Sequence, residues 1–342
     1  MSFKRLDPED ISISAESVVA PLWSTGDPNM TSFFTSSTQP ASATGKYYYE
    51  VFHQDPTTNS STARVQFSLA FGDKQGRGGE NFEASVSGKT PTSAIYGQYR
   101  NLVLGDEEKD FTFVGNNTSD HFFAINVERS RYKEKLLPGS FNLTLTSGSS
   151  TLHLTDNSKD AASVSFNDAG RVYEIISGSS GSAYPGASNN GYTENDGASY
   201  GKFLPDVGVV ILNSTALSQD LPHGLGSNFV DLSADTDADN IDKIFGAINE
   251  GGSFRLQSEE TISSNFVFVR VRNSEFNYST NPSNITGSGE LRHDVMINTP
   301  QAFITTVGLY NDSNDLLAIA KLSRPLLKDF TKEALVRIKL DY

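Results

Sequence analysis

The chain has 342 residues, with 27 lysines and arginines against 41 aspartates and glutamates, a formal net charge of -14 and no cysteine. Hydrophobic residues make up 37% and aromatic residues 11%, enough for a sizeable core, and no stretch approaches the roughly 20 apolar residues that span a bilayer as a helix. Disulfides, thiolate metal sites and cysteine nucleophiles are excluded, and the acidic balance opposes a general affinity for nucleic acid or anionic membrane.

The opening MSFKRLDPEDISIS carries no apolar leader segment, which predicts synthesis and folding in a cytoplasm. Residues 1–45 read as an extended N-terminal arm. Its stretch from 24 to 45 is too rich in Ser, Thr, Pro and Gly to pack alone, yet Trp23 precedes it and Phe33 and Phe34 interrupt it. These three aromatics are candidate docking anchors for another protein. Short β-branched and aromatic runs at 47–52, 63–71, 122–127 and 141–145 then predict the strands of a first β domain over 46–176. Within it, 73–93 reads as a long loop, and the acidic run Gly105-Asp-Glu-Glu-Lys-Asp110 reads as a hairpin loop between apolar strands at 101–104 and 111–114.

The most polar, glycine-dense stretch, 177–202, is predicted to be a flexible linker, or else a long loop held by Tyr184, Tyr192 and Tyr200 against a neighbour. A second β domain follows over 203–342, with strands at 207–212 and 266–271. Its one helix is predicted near 237–249, where Ile241, Ile244, Phe245 and Ile248 share a face. Runs at 303–310 and 316–322 flank Asn311-Asp-Ser-Asn314 as a hairpin. Near the end Val336, Ile338 and Leu340 alternate with Arg337, Lys339 and Asp341. A faint likeness between 122–132 and 266–276 fits either two copies of one module or the convergence of amphipathic strands. The fold class expected is mainly β, with antiparallel, sandwich-like sheets and one or two short helices.

No catalytic constellation emerges from the residues. His53, His121, His153, His223 and His293 never fall at HxH, HxxxH or HExxH spacing. Asp235-Thr-Asp237-Ala-Asp239 opens like a calcium loop, but Asn240 stands where the turn needs Gly and Gly246 where a bidentate Glu belongs, so helix capping accounts for it. Gly76-Arg-Gly78-Gly79 lacks phosphate-loop spacing, and Gly178-Ser-Ser-Gly181-Ser is no nucleophile elbow. The group Arg129, Arg131 and Lys133 is read either as a charged contact for an acidic partner or as a solvated strand face. The strand ending at Tyr342 is read as an exposed or partner-paired edge.

Several blocks carry a family resemblance. They are 13–24 (ISAESVVAPLWS), 94–108 (AIYGQYRNLVLGDEE), 131–143 (RYKEKLLPGSFNL), 275–282 (EFNYSTNP), 308–322 (GLYNDSNDLLAIAKL) and 330–342 (FTKEALVRIKLDY). Together they resemble virion structural proteins of contractile-tailed phages, especially marine cyanophages. The resemblance implies a multi-copy particle component of the tail or baseplate, made in a bacterial cytoplasm and contacting other virion subunits. It implies neither enzymatic activity nor a cofactor, metal, nucleic-acid partner or membrane insertion. A capsid or neck accessory protein, or a receptor- or carbohydrate-binding fibre or spike component, is the alternative; the regular repeats of β-helical spikes are absent from the sequence.

Overall fold

The computed structural model describes residues 4–36, 48–79, 90–113, 117–148, 150–161, 164–184, 199–220, 223–233 and 240–341. The protein is mainly β, at 45% strand and 13% helix. From the N-terminus the elements are β1 (Ile11–Pro21), β2 (Asn29–Met30), β3 (Tyr48–Phe52), β4 (Val65–Asp73) and helix α1 (Pro91–Leu104). There follow β5 (Phe111–Phe113), β6 (Asn117–Ser119), β7 (His121–Val127), β8 (Lys135–Leu136), β9 (Asn142–Ser147), β10 (Ser150–Asp156), β11 (Ser165–Asn167), β12 (Gly170–Ser179) and β13 (Ser182–Ala183). The chain continues through β14 (Gly201–Leu204), β15 (Val209–Asn213), α2 (Ser214–Leu217), α3 (Asn240–Asn249), β16 (Ser253–Arg255) and β17 (Gln257–Val271). It closes with α4 (Val295–Asn298), β18 (Gln301–Tyr310), β19 (Leu316–Asp329) and β20 (Ala334–Asp341).

The chain forms two compact units, Val18–Glu260 and a terminal unit made from both ends, Met1–Ser17 with Thr261–Tyr342. This corrects the expected arm at 1–45 and the expected break at 177–202. In the larger unit one curled sheet runs β2-β16-β9-β10-β12-β14-β15-β7-β4-β3. Strands from both sides of 177–202 are therefore neighbours, with β12 pairing β14 from Tyr173↔Phe203 to Ile175↔Gly201. The polarity of this stretch carried no information about whether the flanking strands pair. Tyr200 is core, its hydroxyl donating to the His223 carbonyl at 2.6 Å, while Tyr192 lies outside the described residues.

Both faces of the central strands are covered, which is why β15 opens on four consecutive buried apolar residues, VVIL. On one face Phe67, Phe71, Phe123, Ile125, Val210 and Leu212 pack with Ile241, Ile244 and Ile248 of α3. The opposite face, with Phe122, Ala124, Val209 and Ile211, is covered by α1 and the β5–β6 hairpin. Ring centroids there lie 4.8 Å apart for Phe111–Phe122 and 5.3 Å for Tyr96–Phe122.

Helix α1 overturns the strand expected at 101–104. Tyr96, Tyr99 and Val103 are buried at helical spacing, and Pro91 stands at the first turn with the Thr90 N–H donating to Ser93 Oγ at 3.2 Å. Gly105 ends the helix at φ 62°, in the left-handed region that favours glycine, and a Cβ there would force the exposed Asp168 carboxylate to shift. These caps were visible in the sequence; the short apolar run was misassigned because its period is ambiguous over four residues.

In the terminal unit β17 lies between β1 and β20, pairing with β20 from Ser264↔Asp341 to Val271↔Ala334. β18 and β19 form the expected hairpin as a separate two-stranded ribbon. The likeness between 122–132 and 266–276 covers strands in unlike settings, since β7 sits inside the large sheet and β17 in this smaller one. The ribbon's inner residues Val307, Leu309, Ala320 and Leu322 pack on Val267, Val336 and Ile338. Val267, Val336 and Ile338 are the fully buried members of this cluster, so little apolar surface closes the terminal unit.

Candidate functional site

Two of the three expected arm anchors belong to the chain's own core. Trp23 is 2% exposed, its Nε1 donating to the Phe254 carbonyl at 3.0 Å, with its ring 5.0 Å from Phe254 and 5.9 Å from Phe67. Phe33 is 3% exposed and packs edge-on to Phe67. Neither ring is free to dock elsewhere. Composition made the segment look unable to pack, but its aromatics fill the concave side of a sheet assembled from distant strands. Phe34 is 38% exposed while its backbone bridges Phe52.

The basic group is partly engaged at home. Arg129 donates to the carbonyls of Tyr132 and of Lys133 and lies over the Tyr132 ring at 4.6 Å, and Lys133 pairs with Glu260 at 2.8 Å. Among the described residues the Arg131 guanidinium donates to its neighbour Ser130. Tyr342 and the Asp235–Asp239 acids lie outside the described residues. In the Gly76 loop the buried Asp73 carboxylate accepts from the Gln75 and Arg77 N–H groups and from the Arg77 guanidinium, so this turn is held by its own acid. Two of the four acids at 105–110 are likewise used: Asp110 pairs with Lys74 at 2.6 Å, and Asp106 accepts from the Glu108 and Lys109 N–H groups, which holds its carboxyl below the usual range.

One serine–histidine pair invites a catalytic reading and fails it. Ser214 Oγ lies 2.7 Å from the His121 carbonyl and also contacts His121 Nδ1, and with its single proton given to the carbonyl the ring nitrogen is the donor. An imidazole that donates to the hydroxyl cannot act as the base that activates it, and Ser214 is fully buried. Burial pushes the His121 pKa below its ordinary 6.5, against the attraction of Asp73 and Asp120 and with help from Arg77. The neutral ring is thus the folded form. Its contribution to stability is complete above pH 6.5 and is lost as pH falls toward the lowered folded value. Urea midpoints of the wild type should therefore drop more steeply as pH falls below 6.5 than those of His121→Gln; parallel curves would refute the assignment.

Two open clefts line the larger unit. One, of about 360 Å3, lies along α1 between Tyr48, Ser68, Gln98 and Asn126. The other, of about 230 Å3, crosses β16, β9 and β10 at Arg255, Asn142, Thr144 and His153. Among the described residues neither lining includes a carboxylate that could serve with a second acid or base. Among the described residues no three His, Asp or Glu side chains are grouped to hold a metal.

The terminal unit's surfaces are of another kind. Of 17 large hydrophobic side chains exposed among the described residues, 11 belong to this unit, including Phe303, Tyr310, Leu316, Leu317, Ile319 and Leu335. That concentration marks it as the unit with unfinished burial. On the ribbon's outer side Ile319 stands opposite Gly308, against which Tyr310 and Leu316 lean. On the outer side of the β17–β20 sheet, register pairs Phe266 with Lys339, Phe268 with Arg337 and Arg270 with Leu335. Arg337 lies over the Phe266 ring at 4.2 Å. The charged half of this face was legible in the alternation at 335–341; its aromatic half needed the pairing partner. Comparison with protein-family models, with curated proteins and with solved structures finds no match to this chain.

Proposed function

We propose that the chain is a structural subunit of a phage virion, belonging to the contractile tail or baseplate, that acts through protein–protein interfaces. The observation that carries this reading is the skew of exposed apolar side chains to the terminal unit, where Phe303, Leu317, Ile319 and Leu335 face outward from a unit with a small core. A subunit that is completed by assembly is built this way. Two of the sequence blocks that resemble tail proteins, 308–322 and 330–342, fall on the ribbon tip and on β20. Antibodies raised against the purified chain test the reading on intact particles of the encoding phage. Gold at the tail or its distal end is the expected result. Gold confined to the head or neck would move the subunit to the accessory role, and particles without label would end the proposal.

A further inference from the structure

The two units differ sharply in charge. The terminal unit holds 11 of the 27 lysines and arginines and 12 of the 41 aspartates and glutamates, so it is nearly neutral, whereas the larger unit sets 16 cations against 29 anions. Within the terminal unit the outer face of the β17–β20 sheet is locally basic. Arg270, Arg337 and Lys339 alternate there with Phe266, Phe268 and Leu335, and all three cations are exposed. The acid at the end of this face, Asp341, is occupied by Ser264 at 2.6 Å and by Lys339 at 3.1 Å. Neither Arg270 nor Arg337 has a carboxylate partner among the described residues.

Resting on the reading of the chain as an assembly subunit, we propose that this face is a self-association surface that docks on the acidic larger unit of a second copy. Arginine beside aromatic rings is the composition of interface anchors, because the flat guanidinium keeps its stacking contacts when water is removed. The partner must be acidic, since three cations brought into contact without compensation would each lose solvation. The larger unit of a second copy carries an acidic excess of that kind, 29 anions against 16 cations. A face of three cations is too narrow to track a nucleic-acid backbone against the repulsion of the whole acidic chain. Because the donor face and the acceptor unit are different surfaces, the contact is head-to-tail, which builds rings or longer arrays rather than closed dimers.

Sedimentation velocity of the full chain, from about 1 to 200 µM at low salt, should show concentration-dependent species larger than a monomer, weakening by about tenfold or more when salt is raised past 0.3 M. The double reversal Arg337→Glu/Lys339→Glu should abolish association, and the milder Arg337→Gln/Lys339→Gln should weaken it, both with an unchanged thermal melt. Lys321→Glu, on the ribbon's outer side, should leave it intact. Monomers at every concentration, or association indifferent to salt and to both double variants, would overturn the proposal. So would binding of a single-stranded oligonucleotide that the double reversal removes, since the face would then serve nucleic acid. The virion labelling above can succeed or fail independently of this outcome.

Discussion

Replacing Trp23 by alanine should destabilise the larger unit by about 3–5 kcal/mol, one of the two largest single-residue effects expected in this chain. The indole is almost fully buried between Phe67 and Phe254 and donates to a backbone carbonyl, so truncation leaves a cavity and an unpaired acceptor together. Chemical unfolding followed by far-UV circular dichroism checks this, and a loss below about 1 kcal/mol would show that Trp23 is not core. The consequence for assembly experiments is direct. Residues 22–33 supply Leu22, Trp23, Met30 and Phe33 to the main core, so removing the first forty-five residues should produce an unfolded or aggregating chain. Failure of such a truncation to enter particles would report folding, and it could not be read as loss of a docking arm.

Lys328→Met should loosen the terminal unit by about 2–4 kcal/mol. Lys328 is fully buried on β19, where its ammonium donates to the Asn273 carbonyl at 3.0 Å, to Asn277 Oδ1 at 2.7 Å and to the Asp329 carbonyl at 2.8 Å. The three oxygens saturate its three protons and tie the turn after β17 to the ribbon. Methionine keeps the stem's volume but leaves these acceptors without donors. Hydrogen exchange of the 273–277 and 326–329 amides is the measurement of choice, because the small core of this unit lets it open separately from the larger one. Unchanged protection in both segments would refute the clamp.

The two effects also explain what could be read from the residues. The β character, the hairpin at 303–322, the alternation of β20 and the amphipathic face of α3 were all legible, since each is a local pattern of period 2 or 3.6 that burial on one side imposes directly. Helix α1 was missed although Thr90, Pro91 and Gly105 announced it, because four apolar residues at 101–104 satisfy either period. The arm was misread for a different reason. Serine- and threonine-rich chain with widely spaced aromatics looks unpacked until another segment supplies the concave surface it fills, and here that surface comes from β4 and β16, far away in sequence.

The candidate site shows the same division. Arg337 and Lys339 could be assigned to one side of a strand from alternation alone, and the net charge of -14 was plain from composition. Only the tertiary structure decided that Phe266, Phe268 and Arg270 lie beside them, and that these cations belong to a nearly neutral unit built from the two chain ends while the acidic excess stays on the other. Strand register and unit membership depend on contacts between residues tens to hundreds of positions apart, for which a local pattern holds no record.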